Sequence, residues 1–226
     1  MAAGFEIEIK SLLGNKEKAD ALRDRFLLMF PDAHRASKNS QLNHYFQGGN
    51  YQKLRDKLQG LIPEDHQEAF ENILTKGKNH SVRTRQLDSS IILVIKASID
   101  DMSSSNGISR MEFEADFPNF TLEELDQILL DSDFTYQAKW SREREQYDSE
   151  EVTVCIDKNA GYGYVAEFEK LVSDVERAEE VRNELRSIMK QLVAEELPQE
   201  RLERMFAYYN KHWSEYYGTD KFFVVE

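Results

Sequence analysis

Phe5-Glu6-Ile7-Glu8-Ile9-Lys10 alternates apolar and charged residues without a break. A period of two is the signature of a β-strand, because successive side chains on a strand point to opposite faces. Phe5, Ile7 and Ile9 therefore share one face, and Glu6, Glu8 and Lys10 share the other. On this stretch alone the charged face reads as the solvent side of an amphipathic strand. Further along the chain, similar charged stripes return.

Ser81 to Leu87 alternates, with Arg83 and Arg85 on one face. Ile91 to Ala97 is apolar except for Lys96. Ser109 to Phe117 sets Arg110, Glu112, Glu114 and Asp116 opposite Met111, Phe113, Ala115 and Phe117. Tyr136 to Tyr147 carries Arg142 and Arg144, with Glu143 and Glu145 blurring its opposite face. Val152 to Asp157 ends on its acid, Lys158 to Gly163 is a turn, and Tyr164 to Val172 carries Glu167 and Glu169. With Gln41 to Phe46 these make eight strands. Asn15 caps a helix through about Phe30 that ends at Pro31. Tyr51 to Leu58 and Glu64 to Thr75 form a helical insertion at 51–79, read as a peripheral hairpin. Thr121, with Glu124 three residues on, opens a capping-box helix. A helical C-terminal extension covers 174–226, as helices from about Asp174 to Glu196 and Gln199 to Trp213, with Lys221 to Glu226 as a stray strand. Residues 101–107 read as a loop.

The chain has 226 residues, enough for a real hydrophobic core, and a net charge of −13. That balance argues against general nucleic-acid binding, which needs a basic surface. No run approaches the roughly 18 apolar residues of a membrane helix. The N-terminal residues carry no secretory pattern, and a single cysteine, Cys155, agrees with a reducing compartment and a cytoplasmic protein.

An even-numbered, largely antiparallel set of strands suggests an α+β fold built on a closed β-barrel, which leaves no exposed edges. The charged faces carry the acids Glu6, Glu8, Glu112, Glu114, Asp157, Glu167 and Glu169 and the bases Lys10, Arg83, Arg85, Lys96, Arg110, Arg142 and Arg144. If the charged faces line the lumen, the amphipathic helices cover the apolar faces from outside. Carboxylates attract hard divalent cations, and arginines clamp phosphate oxygens. Both together describe a metal–polyphosphate site.

The ordered series, from Glu6-x-Glu8-x-Lys10 through Arg83-x-Arg85, Lys96, Arg110-x-Glu112-x-Glu114, Arg142-x-Arg144 and Asp157 to Glu167-x-Glu169, resembles the CYTH superfamily of triphosphate tunnel metalloenzymes. The resemblance spans residues 5 to about 170 of a single domain covering 1–226. It implies an eight-stranded antiparallel tunnel with a charged lumen and about two Mg²⁺ or Mn²⁺ ions. Glu6, Glu8, Glu167 and Glu169 would be the leading metal ligands, with Asp157, Glu112 and Glu114 as supplementary ligands or water-positioning groups. Arg83, Arg85, Lys96, Arg110, Arg142 and Arg144 would bind phosphates. Lys10 would sit beside the reacting phosphate, with Tyr45 as its catalytic partner. The activity implied is hydrolysis of a small-molecule triphosphate: inorganic, nucleoside or thiamine triphosphate. A class IV-type adenylyl cyclase is the alternative, less favoured because no His-Phe pair precedes Glu6. A non-catalytic polyphosphate-binding module is the third reading. The chain would be a monomer or a homodimer.

Overall fold

The computed structural model describes residues 5–98, 110–172 and 175–224, without the side chains of Phe5, Glu6, Arg110 and Val175. Eight strands and six α-helices follow in the order β1 (Phe5–Gly14), α1 (Lys16–Met29), β2 (His34–Gly48), α2 (Tyr51–Leu58), α3 (Glu64–Lys76), β3 (Lys78–Leu87), β4 (Ser90–Ser98), β5 (Arg110–Asp116), α4 (Leu122–Leu130), β6 (Phe134–Asp148), β7 (Thr153–Asn159), β8 (Gly163–Val172), α5 (Ala178–Gln191) and α6 (Gln199–Tyr216). The strands form one α+β sheet in the order β1-β8-β7-β6-β2-β3-β4-β5. The pairings around β1, β8, β7 and β6, and those from β2 to β5, are antiparallel. Closure of the sheet through β1 and β5 is not among the described pairings. The expected loop at 101–107 lies outside the described residues.

The chain divides into two compact units, residues 1–40 with 141–226, and residues 41–140, the division falling within β2 and β6. Each has its own core. In the first, Ile7 and Ile9 of β1, Val154 and Ile156 of β7, and Ala166 and Phe168 of β8 pack under Leu22 and Phe26 of α1 and Val181, Leu185 and Ile188 of α5. In the second, Val82 of β3, Leu93 and Ile95 of β4, and Phe113 of β5 pack with Leu54 and Leu58 of α2, Phe70 and Ile73 of α3, and Leu122, Leu125 and Leu129 of α4. The apolar face of each alternating strand is thus the one its helices cover. That leaves the charged faces on the opposite side of the strands, as an inside-polar arrangement requires.

Local chemistry sets the helix ends. The Asn15 side chain accepts from Lys18 N, and Thr121 with Glu124 makes the expected capping box. Three departures from the pattern-based reading are the largest. β2 starts at His34, seven residues early, because His34 to Ser40 is mostly exposed on both faces and has no alternation to reveal it. The helix expected over 174–196 is a 3-10 turn, Val175–Arg177, followed by α5, which stops at Gln191. Val193 there adopts a positive φ of 57°, and Leu197 N donates to Lys10 O at 2.7 Å, so the chain turns back onto β1 instead of coiling on. The C-terminal stretch is no strand but a strap, joined to the β7–β8 turn by a single parallel bridge between Gly161 and Phe222.

That turn closes tightly on β1. Gly163 has a φ of +72°, and a Cβ there would lie 2.2 Å from Gly14 O. Gly163→Ala is expected to lower stability by about 1–3 kcal/mol, since alanine meets both a disfavoured backbone region and a backbone atom. Urea unfolding of the two proteins measures this, and an unchanged midpoint would refute the close packing.

Candidate active site

The charged face of the first unit follows from strand register. Glu8 stands opposite Glu169, and Lys10 opposite Glu167, across β1 and β8. Glu167 pairs in turn with Cys155 across β8 and β7, and Asp157 with Arg144 across β7 and β6. Period-two alternation then puts Glu8, Lys10, Arg142, Arg144, Cys155, Asp157, Glu167 and Glu169 on one face.

Two ion-pair groups meet there. The Lys10 ammonium sits between Glu8 and Glu167, 2.9 Å from Glu167 Oε1 and in contact with Glu8 Oε1. Asp157, 1% exposed, receives Arg142 Nη1 at 3.1 Å and a fork from Arg144, Nε to Oδ1 and Nη2 to Oδ2, both at 2.7 Å. Arg144 Nη2 also contacts Glu167 Oε2, linking the two groups. A bidentate fork fixes the guanidinium plane.

Burial alone would raise the Glu167 carboxyl, but the charges of Lys10, Arg144 and Arg142 outweigh it and hold the group at about 2. The Arg144 guanidinium loses hydration by burial, yet its bond to Asp157 and the charge of Glu167 push its pKa up. Because the folded-state value of Glu167 lies below that of an unfolded glutamate, its contribution to stability is complete above about pH 4.3. It is lost as the pH falls toward 2. With chelator present, the stability gap between the wild type and Glu167→Gln is expected to narrow from pH 5 to pH 2. A gap that stays constant over that range would contradict the paired geometry.

Glu8, Glu167 and Glu169 each offer a carboxylate oxygen, all within 4.8 Å of one another. All-oxygen, anionic donors at this spacing fit a hard divalent cation such as Mg²⁺ or Mn²⁺. Glu6 belongs to β1 opposite Leu171, but its side chain lies outside the described residues. Asp157 stands apart from the three-carboxylate group, its oxygens engaged by arginines.

Sequence reasoning gave Cys155 no place in this site, although its spacing of two from Asp157 puts it on the same face. The thiol is 1% exposed, and burial together with the neighbouring carboxylates pushes it up to about 12 against the pull of Arg144. It is therefore protonated at neutral pH and is not a nucleophile.

The second unit carries the remaining residues. Arg83 of β3 faces Tyr45 of β2, donates to its hydroxyl at 2.7 Å and lies over its ring, 5.5 Å from the centroid. Arg85 donates to Asn43 Oδ1 at 3.0 Å and reaches Glu114 at 3.4 Å. Lys96 pairs with Glu112 at 2.9 Å across β4 and β5. Arg110 begins β5 opposite Ser98, with its side chain outside the described residues.

On the helix side of these strands lies a buried polar group that the alternation does not announce. Asp126, one turn into the apolar α4, accepts from Thr84 Oγ1 at 2.5 Å and Tyr136 Oη at 2.6 Å, and lies 2.6 Å from His44 Nδ1. His44, Thr84 and Asp126 are each no more than 2% exposed. A buried carboxylate needs such partners, and here they pin α4 to three strands.

The family model described as CYTH domain matches residues 4–201, and the chain belongs to that family. No curated protein matches the sequence. Among solved structures, a Pyrococcus horikoshii protein aligns at a TM-score of 0.57 and 19% identity, covering 90% of this chain and 98% of its own. A conserved hypothetical protein from Pyrococcus furiosus aligns at 0.54 and 20% identity, covering 86% and 93%. A Hippeastrum protein, described as a candidate adenylyl cyclase with a dominant triphosphatase activity, aligns at 0.52 and 15% identity, covering 91% and 96%. At these identities the likeness is one of fold. Among the described residues, no helix is long and apolar enough to cross a membrane.

Proposed function

We propose that this chain is a divalent-metal-dependent triphosphatase that hydrolyses a phosphoanhydride bond of a small-molecule triphosphate, within a tunnel made by closure of its sheet. The observation that carries this reading is the mixture on one strand face: three convergent carboxylates beside Lys10, Arg142 and Arg144. Anion binding alone needs no carboxylate group, and cation binding alone needs no arginine fork. A metal–triphosphate complex needs both.

Glu8, Glu167 and Glu169 would hold the ion, with Glu6 proposed as a further ligand and Glu112, Glu114 and Asp157 in supporting roles. A bound Mg²⁺ or Mn²⁺ supplies charge neutralisation for the phosphates and lowers the pKa of a coordinated water. The chain's own part is to bind and orient. Arg144, held in plane by its fork to Asp157, and Arg142, anchored to the same carboxylate by Nη1, would present donors to phosphate oxygens, where charge builds up during transfer. Arg83, Arg85, Lys96 and Arg110 are proposed as further phosphate contacts. Lys10, on a flexible stem between two acids, can exchange a carboxylate for a phosphate oxygen. The Tyr45 hydroxyl, oriented by Arg83, is its proposed partner. The activity described for the Hippeastrum relative supports hydrolysis over cyclisation.

The test offers tripolyphosphate, ATP and thiamine triphosphate separately, with Mg²⁺ or Mn²⁺, and resolves the products by chromatography. Phosphate release that stops with a chelator is the expected result. Cyclic AMP and pyrophosphate from ATP would replace the hydrolase with a cyclase. No turnover, with metal-independent polyphosphate binding, would leave a binding module.

A further inference from the structure

The buried group around Asp126 takes no part in the chemistry of the charged face, yet strand register puts it directly behind that face in the second unit. Tyr45 pairs with Arg83, His44 with Thr84 and Asn43 with Arg85, on three successive rungs of the β2–β3 ladder. The outer two rungs point to the charged face, where Arg83 donates to Tyr45 and Arg85 to Asn43. The middle rung points to the helix side. There one carboxylate spans both strands. Asp126 Oδ1 accepts from Thr84 Oγ1 of β3 at 2.5 Å, and Oδ2 lies 2.6 Å from His44 Nδ1 of β2. Oδ2 also accepts from Tyr136 Oη of β6 at 2.6 Å. Lys139 Nζ, 3.9 Å from Oδ2 and 4.1 Å from the centre of the Tyr136 ring, adds an ammonium.

Holding α4 in place does not require this group. Leu122, Leu125 and Leu129 of the same helix are at most 2% exposed, and an apolar side chain in place of a buried charge is often neutral or stabilising. What the carboxylate adds is direction, because its two oxygens fix one donor on each strand. The two arginines in front of it depend on that. In the first unit, Arg144 is oriented on its own face by the fork to Asp157. Arg83 bonds a neutral hydroxyl instead, and its Nε is buried with no hydrogen-bond partner among the described residues. Arg85 bonds a neutral amide oxygen and meets Glu114 at 3.4 Å. With no carboxylate fork to aim them, these two guanidinium groups take their place from the register of β2 and β3.

We propose that Asp126 is a positioning residue for phosphate binding. By clamping the His44–Thr84 rung from behind, it sets the spacing at which Arg83 and Arg85 meet the ligand. This rests on the triphosphate reading and gives its site a support outside the charged face.

The test combines calorimetric binding of tripolyphosphate to the full chain, in Mg²⁺, with NMR of the side-chain Nε–H groups of Arg83 and Arg85. Thr84→Val keeps the β-branched shape that suits a strand and removes the hydroxyl. It is expected to weaken tripolyphosphate about tenfold, the lower end of the cost of removing a group that orients a ligand-binding side chain, and to move both arginine resonances. Thr84→Ser restores the donor and is expected to keep both readouts near the wild type. Asp126→Leu, matched to its apolar neighbours on α4, is a second route to the same loss. Tyr136→Phe removes a donor to the same carboxylate without touching the rung, so it should lower the melting temperature and leave the affinity near the wild type. In an Arg83→Ala background the Thr84→Val effect should shrink, whereas independent losses would combine to within about twofold of their product. Equal weakening by Tyr136→Phe and Thr84→Val would overturn the assignment, as would unmoved arginine resonances or unchanged affinity in folded Thr84→Val and Asp126→Leu. If the wild type binds no tripolyphosphate, while the resonances move in Thr84→Val and not in Tyr136→Phe, the clamp stands and the triphosphate reading falls.

Discussion

Alanine at position 157 is expected to lower the unfolding free energy by about 3–5 kcal/mol, the range for removing one partner of a buried ion pair. Asp157 is 1% exposed and accepts three hydrogen bonds from Arg142 and Arg144. Without it, Arg142 loses this acceptor. Arg144 retains only Glu167 of its two carboxylates, so that pair must carry the charge of a largely buried guanidinium. Asp157→Asn keeps one acceptor oxygen but turns an amide N–H toward a guanidinium, so it is expected to recover little. Urea unfolding at constant m measures the loss. A double-mutant cycle of Asp157→Ala with Arg144→Ala separates the pair's coupling from the cavity left behind. A loss below about 1 kcal/mol, the scale of an exposed pair, would show that this group is hydrated and not buried.

The second large effect is functional. Glu169→Gln keeps the size of the side chain and removes one of three converging carboxylates. Divalent-metal affinity is expected to fall by at least about 10–100-fold, the cost of disturbing a ligand's support alone. Turnover is expected to drop by about 10²–10³ for a lost electrostatic contact to the reacting phosphates. Folding should change less. Glutamine keeps the shape of the side chain, and Lys10 and Arg144 already balance Glu8 and Glu167, so the metal-free variant is expected to melt close to the wild-type temperature. Metal titration and thermal unfolding in chelator give the two readouts. A variant that binds metal normally but melts earlier would make Glu169 a structural residue.

Most of the fold was legible because β1, β3 and β5 alternate and the other strands carry apolar runs or charged stripes, and a core that covers one face of a strand forces alternation on the sequence. The lower half of β2 was not legible for the same reason. From His34 to Ser40 no residue is fully buried, so nothing selects apolar residues. The end of α5 was hidden because Leu192, Ala194 and Leu197 continue the apolar content after the helix has stopped, and they are buried by a turn that no spacing encodes. At the site, the charged residues could be assigned to one face of each strand, since period two needs only counting. Which carboxylate meets which cation depends on register between strands far apart in sequence. So the role of Asp157 as the seat of two arginines, and the place of Cys155 beneath Glu167, became visible only once β6, β7 and β8 were aligned. The Asp126 group was hidden more deeply, because an acid on an apolar helix face looks like an interruption until its three partners are brought to it.

The register of β1 against β8 also governs how this protein can be made. Lys10 finds Glu167 at a position 157 residues further along the chain. A ribosome adding about 5–20 residues each second leaves the first strand without its neighbour for roughly 8–30 s. Throughout that interval Ile7 and Ile9 lack the β7 and β8 residues of their core, and the β8-side edge of β1 can pair with another nascent chain. Residues 41–140 can collapse into their own core meanwhile, since all the side chains of that core are already synthesised by then. Assembly would therefore proceed from the middle of the polypeptide outward, and the stretch translated first would be among the last to acquire its native neighbours.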